Sequence, residues 1–279
     1  MRASPSAART LALMDLQLTG TRAFVTGGSR GIGKAVARVL AEEGCDVAIA
    51  ARDPDRLRAT AAEIASATGR RIEPVVVDTR DDESVRAAIA AATAALGGID
   101  ILVNNAAQPS GQATPPRLAE LTSAALFEDV DTKVMGYLRC AQAVAPQMIE
   151  RRWGRIVNIS GLGARTTGNL IGSVRNVGVS ALTKNLADEL GPHGISVTVV
   201  HPGLTRTEAT PGVVAWRASS GGLDPAVVEE RMARSNSLRR LIDASEVADV
   251  VAFLASPRGG SINGDAVVCG GGQPGVIHY

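Results

Sequence analysis

Short, continuous apolar runs alternate with amphipathic helical stretches along almost the whole chain, and this alternation limits the fold more than any other feature. "TRAFVTGG" (residues 21–28) is a β-rich run that ends in glycines. A helical pattern follows, with Ile32, Val36, Val39 and Leu40 on one face and Gly44 as its stop. "CDVAIAAR" is the next strand. The helix after it starts near Pro54 and stops at Gly69, and "VVVD" (75–78) then leads into a helix over 82–96. "DILVNNAA", "RIVNIS" and "ISVTVV" supply three more strands. Between them lie a long helical region over about 123–152, with a kink expected at Pro146, and a helix within 168–190. Residues 205–240 read as irregular with helical patches, and a helix over 245–256 and the strand "DAVVC" close the pattern. The strands are unbroken apolar runs, not alternating ones, as expected of a parallel sheet covered on both faces. The expected fold is therefore α/β: one doubly wound, Rossmann-like domain over residues 14–279, preceded by a disordered extension over 1–13.

Composition narrows the function. A net charge of +1 gives no basic surface for nucleic acid. Cys45, Cys140 and Cys269, like His193, His201 and His278, lack disulfide-framework or metal-ligand spacing, so no metal site is expected. No apolar run reaches the length of a membrane span, and the N-terminal run is too short for a signal peptide, so a cytoplasmic protein is expected. Lys34, Lys133 and Lys184 are the only lysines, which makes a buried one easy to notice.

"TGGSRGIG" (26–33) sits between the first strand and its helix. Glycines there let the backbone approach a pyrophosphate, whose charge meets the helix N-terminus. "NNAA" (104–107) and "HPGLTRT" (201–207) end two further strands on the same sheet edge, where ligands bind in open sheets. With these three motifs on one edge, the chain from about residue 16 to 272 resembles the short-chain dehydrogenase/reductase family. "NIS" (158–160) and "SINGDAVVCGGG" add to the likeness. The resemblance implies a nicotinamide dinucleotide cofactor, with Gly27, Ser29, Arg30, Ile32 and Gly33 along the phosphates. Asp78 would meet the adenine, Asn105 the ribose, and Pro202, Gly203, Thr205 and Thr207 the nicotinamide end. It also implies a small-molecule substrate and a homodimer or homotetramer formed through the two long helices.

One part of the family pattern is missing. The family's Y-x-x-x-K pair falls on Gly172 and Asn176, and the only tyrosines are Tyr137 and Tyr279. Meanwhile Lys133 stands where the family carries an asparagine. Lysine and asparagine are thus either exchanged between the two helices, or lost separately with Lys133 facing solvent. Under the exchange, Ser160, Lys133 and Asn176 are the catalytic candidates, since a desolvated lysine can serve as acid or base near neutral pH. Losing a ring at Gly172 would leave a gap, and Arg165 or Arg175 could bind an anionic substrate. Trp216, Met232 and Leu238 are candidate apolar contacts or plain packing. Three readings follow: a reductase with a rebuilt proton donor, a non-redox enzyme such as a dehydratase or isomerase, and a catalytically silent cofactor-binding scaffold. The end of the second strand carries Ala51 and Arg52 where an acid would read a ribose 2′-hydroxyl. Arg52 and Arg30 together predict NADP(H).

Overall fold

The computed structural model describes residues 14–108, 111–275 and 277; the expected extension over 1–13 lies outside them. Seven parallel strands form the main sheet: β1 (Arg22–Thr26), β2 (Asp46–Ala51), β3 (Ile72–Val76), β4 (Ile101–Asn104), β5 (Gly154–Ile159), β6 (Ile195–Pro202) and β9 (Ala266–Cys269), in the order β3-β2-β1-β4-β5-β6-β9. A two-residue pair, β7 (Thr205–Arg206) with β8 (Ile242–Asp243), stands apart. The order reverses between β1 and β4, and the crevice outside their carboxyl ends is where such sheets bind ligands.

All positions of β5 and β6 are buried, which accounts for their unbroken apolar runs. One face is covered by α1 (Gly31–Glu42), α2 (Pro54–Thr68) and α9 (Ala244–Ala255), through Val36, Leu40, Leu57, Ile64, Val247 and Val251. The other is covered by α3 (Asp82–Leu96), α5 (Gly136–Arg151) and α6 (Leu170–Leu190), through Val85, Ile89, Val144, Met148 and Leu190. Local signals set the ends. Asp53 accepts from the backbone N–H groups of Asp55 and Arg56 to cap α2, and Gly69, at φ +69°, closes it.

Three sequence expectations are corrected. The third strand starts earlier than expected, at Ile72, because its register on β2 pairs Val47 with Ile72. The long helical run is broken not at Pro146, which lies inside α5, but after α4 (Ser123–Val130) by a π-helical turn at Asp131–Met135. There the Thr132 hydroxyl donates to the Glu128 carbonyl at 2.8 Å and competes for a ladder acceptor. Residues 205–240 are more ordered than expected: α7 (Thr210–Gly221) and α8 (Pro225–Ala233) close a small core of Val214, Ala218, Val228, Met232 and Leu241. Met232 is therefore packing, while Leu238 is exposed.

Candidate active site

The glycine loop is held to the neighbouring strand by Thr26, whose hydroxyl oxygen accepts from the Asn105 and Ala106 N–H groups at 2.9 and 3.0 Å. Asn105 in turn donates its side-chain amide to the Gly27 carbonyl at 3.3 Å. Gly33 faces this junction closely: a Cβ on it would lie 2.2 Å from the Gly27 oxygen, so any side chain would push α1 off the strand. The bare loop leaves a cleft of about 770 Å³, lined by Gly27, Ser29, Arg30, Ile32, Arg52, Asp78, Asn105 and Thr207. A helix N-terminus, a long cleft and the cations Arg30 and Arg52 on its lining fit a dinucleotide.

Arg30, the N-cap residue of α1, and Arg52, just after β2, line the cleft and have no ion-pair partner among the described residues. Asp78 lines the cleft, but both its oxygens accept from Arg80, at 2.7 to 3.3 Å, and this pairing holds its carboxyl below the usual range. Pro202, Gly203 and Thr205 are not among the lining residues. Gly203 instead packs on Gly270, and the Thr205 hydroxyl donates to the Gly203 carbonyl at 3.1 Å.

A second cluster joins α6 to the π-helical turn beneath the end of β5. The Lys133 side chain points inward and is 4% exposed. Its Nζ donates to the Ser160 carbonyl at 3.0 Å and to Asn176 Oδ1 at 3.1 Å. An amine facing Asn176 fixes the orientation of that amide, since only the oxygen can accept. The Ser160 hydroxyl donates to the Asn176 carbonyl at 3.0 Å. The Asn176 Nδ2 has no partner among the described residues and faces Gly161 and Gly163, where an added Cβ would come within 3.4 and 2.8 Å. The cluster thus offers a free amide donor beside a hydroxyl and a buried amine.

Burial, with help from the Arg175 charge, lowers the Lys133 amine to about 7, against a smaller opposing effect of Asp129. Burial together with the charges of Arg165 and Lys133 keeps His201 neutral, at about 4. Tyr137 is fully buried and donates to the Ile159 carbonyl at 2.9 Å, so its phenol serves packing. Arg175 is not free for an anionic substrate, because it pairs with Asp129 at 2.5 Å. The expected gap at Gly172 is partly filled: a Cβ there would lie 3.0 Å from the Asn169 side chain, which caps α6 by accepting from the Gly172 N–H at 2.9 Å.

The chain matches the short chain dehydrogenase family over residues 21–218. It is 35% identical over 264 residues to an oxidoreductase, UcpA, of Salmonella typhimurium, covering 92% of this chain and 95% of that protein. It is also 35% identical over 253 residues to the short-chain reductase protein NovJ of Streptomyces niveus, covering 90% and 93%. Among solved structures, L-sorbose reductase from Gluconobacter frateurii, complexed with NADPH and L-sorbose, superposes with a TM-score of 0.89 at 28% identity, covering 95% of this chain and all of that one. The chain belongs to the short-chain dehydrogenase family. It is an oxidoreductase of that family, an enzyme acting on a small molecule with a nicotinamide cofactor.

Sequence reasoning missed Asp129, Asn169 and Glu208. Asp129 stands four residues before Lys133, a spacing that could have flagged it; Asn169 carries the ordinary signal of a helix cap. Glu208 has no sequence signal, yet its carboxylate accepts from the Gly31 N–H at 2.7 Å, at the α1 N-terminus. A carboxylate there competes with phosphate for the same positive end of the helix. Two like charges about 4 Å apart in water repel by about 1 kcal/mol. Glu208→Gln should therefore tighten cofactor binding about fivefold at low salt, with the gain shrinking as added salt screens the repulsion. Fluorescence titration checks this, and unchanged or weaker binding would count against the competition.

Proposed function

We propose that this enzyme is an NADP(H)-dependent oxidoreductase that interconverts a small carbonyl compound and its alcohol, with Ser160, Lys133 and Asn176 in place of the tyrosine–lysine pair. The observation that carries the reading is the buried Lys133 amine, bonded to Asn176 Oδ1 and the Ser160 carbonyl, where burial favours its neutral form. A bound nicotinamide supplies or accepts hydride. The Asn176 Nδ2 is the free donor for the substrate oxygen, and Ser160 orients Asn176 through its backbone carbonyl. Lys133 holds the proton to be exchanged with that oxygen, passed through water, since the two protein groups it touches, Asn176 Oδ1 and the Ser160 carbonyl, are acceptors with no proton of their own to give. Arg165 has no ion-pair partner among the described residues and is available to an oxygen-rich or anionic substrate. Following absorbance of the reduced nicotinamide during turnover of a panel of ketoses, simple ketones and their alcohols tests the redox reading. Cofactor binding without any turnover on that panel would favour a silent scaffold.

NADP(H) is supported by Arg30 and Arg52, two guanidiniums beside the cleft with no ion-pair partner among the described residues, and by the lack of an acid at Ala51 to read a 2′-hydroxyl. The L-sorbose reductase, with its bound NADPH, is in keeping with this. In the double variant Arg30→Ala/Arg52→Ala, the dissociation constant for NADPH should rise by about 10- to 100-fold, the loss of one to two charge-assisted contacts. That for NADH should stay within about twofold. Calorimetry with both cofactors decides it, and equal affinities in the unaltered enzyme would refute the choice.

A homodimer or homotetramer is part of the same reading. Leu170, Val174 and Val177, at helical spacing along α6, and Phe127 on α4 are exposed apolar side chains on adjacent helices.

A further inference from the structure

Asp129 and Lys133 stand four residues apart, acid first, where α4 runs into the π-helical turn. On a regular helix that arrangement favours a direct ion pair. Here it does not form. Arg175, the residue before Asn176 on α6, takes the carboxylate instead, with Nη1 2.5 Å from Asp129 Oδ1. The side chains of this pair are 11% and 16% exposed, and the Arg175 Nε is buried without a partner among the described residues. A pair that leaves a donor unsatisfied is poorly explained by stability alone.

We propose that Arg175 is a positioning residue for Lys133: it holds the Asp129 carboxylate in an ion pair of its own, leaving the lysine amine to Asn176 and the Ser160 carbonyl instead of a salt bridge. Two residues from α4 and α6 thus set the charge environment of the cluster between them. The other groups packed around it add little competing charge. His201 on β6 is neutral, Tyr137 on α5 keeps its proton, and Asp131 pairs outward with Arg139 at 2.8 Å. Burial and the Arg175 charge act in one direction on the amine, and Asp129 opposes them. Without Arg175, the carboxylate would be free to turn to Lys133, and the amine would hold its proton to higher pH.

The bearing of this inference on catalysis rests on the reading of Lys133 as the proton-holding group, but its test does not. Three lysines make the chain suited to NMR of 13Cε-labelled lysine, and Lys34 and Lys184, paired with Glu63 and Asp188, serve as internal references. In the full-length protein the Lys133 signal should titrate near neutrality. Arg175→Met should raise that midpoint by at least one pH unit, Arg175→Lys should keep it near the starting value, and Arg175→Met with Asp129→Asn should bring it back down. A folded Arg175→Met protein with an unmoved midpoint would overturn the proposal. If that variant does not fold, Asp129→Asn alone decides: a lowered or unchanged midpoint supports the proposal and a raised one overturns it. A midpoint that moves while the pH profile of kcat/KM does not would leave Arg175 as the positioning residue and remove Lys133 from the chemistry.

Discussion

Lys133→Met removes the amine while keeping the length of the side chain, and kcat/KM should fall by about 10²- to 10⁴-fold, the usual contribution of a positioned acid or base. The loss should appear in turnover more than in cofactor affinity. Lys34→Ala should leave turnover within about twofold, since Lys34 is paired with Glu63 away from the cleft. The direction of the pH dependence follows from the state each reaction needs. Reduction requires a protonated donor, so its rate should fall as pH rises through about 7; oxidation requires a base, so its rate should rise across the same interval. In Lys133→Met both limbs should disappear along with the rate. A variant with unchanged kcat/KM in both directions would end the case for Lys133.

A depressed lysine pKa also bears on stability. The unfolded chain binds this proton up to about 10.4, while the folded one releases it near 7. Between those values the unfolded state holds more protons, so this residue's contribution to stability rises with pH across that window, and its burial cost is fully felt below it. Such a cost at an inward position is understandable where the group is used and hard to justify where it is only filling space.

The fold was legible because burial on both faces of a parallel sheet leaves continuous apolar runs, as in β5 and β6, whose every position is buried. The glycine loop was legible because Gly33 tolerates no side chain against Gly27. The lysine among only three stood out on composition, and the tertiary contact with Asn176 gave it a partner 43 positions away. Other features were hidden for physical reasons. A π-helical turn at Asp131–Met135 has no strong propensity signal, and Pro146 drew attention to the wrong end of the run. Arg175 looks in sequence like a free cation; its partner Asp129 lies on another helix, and only packing brings the two together. Glu208 reaches Gly31 across 177 positions, beyond any local pattern.

The proposed exchange of lysine and asparagine can be tested by undoing it. By resemblance Gly172 takes the tyrosine position, but the space is not simply empty. Asn169 lies where a Cβ would begin, with three of its side-chain atoms at 3.0 to 3.3 Å. Gly172→Tyr must therefore displace Asn169 and release its cap on α6, at a cost of about 0.5–2 kcal/mol. For a chain of this size that corresponds to a Tm lower by about 1–8 °C. The new phenol would also stand one turn from Asn176, which carries no charge to lower its pKa. Gly172→Tyr alone should thus give a less stable protein, with native turnover reduced and little gain on simple ketones. Adding Asn176→Lys supplies a charge, but Lys133 stays 3.1 Å from the substituted position's present amide oxygen, and two buried amines would repel. The variant that should gain reduction of simple ketones, by at least about tenfold over Gly172→Tyr alone, also carries Lys133→Asn, returning lysine and asparagine to the family's arrangement. Measuring kcat/KM with NADPH across the series, beside thermal melts, separates the chemistry from the loss of the cap. If Gly172→Tyr by itself reached full reductase activity with native turnover undiminished, the cluster of Lys133, Asn176 and Ser160 would not be a rebuilt site.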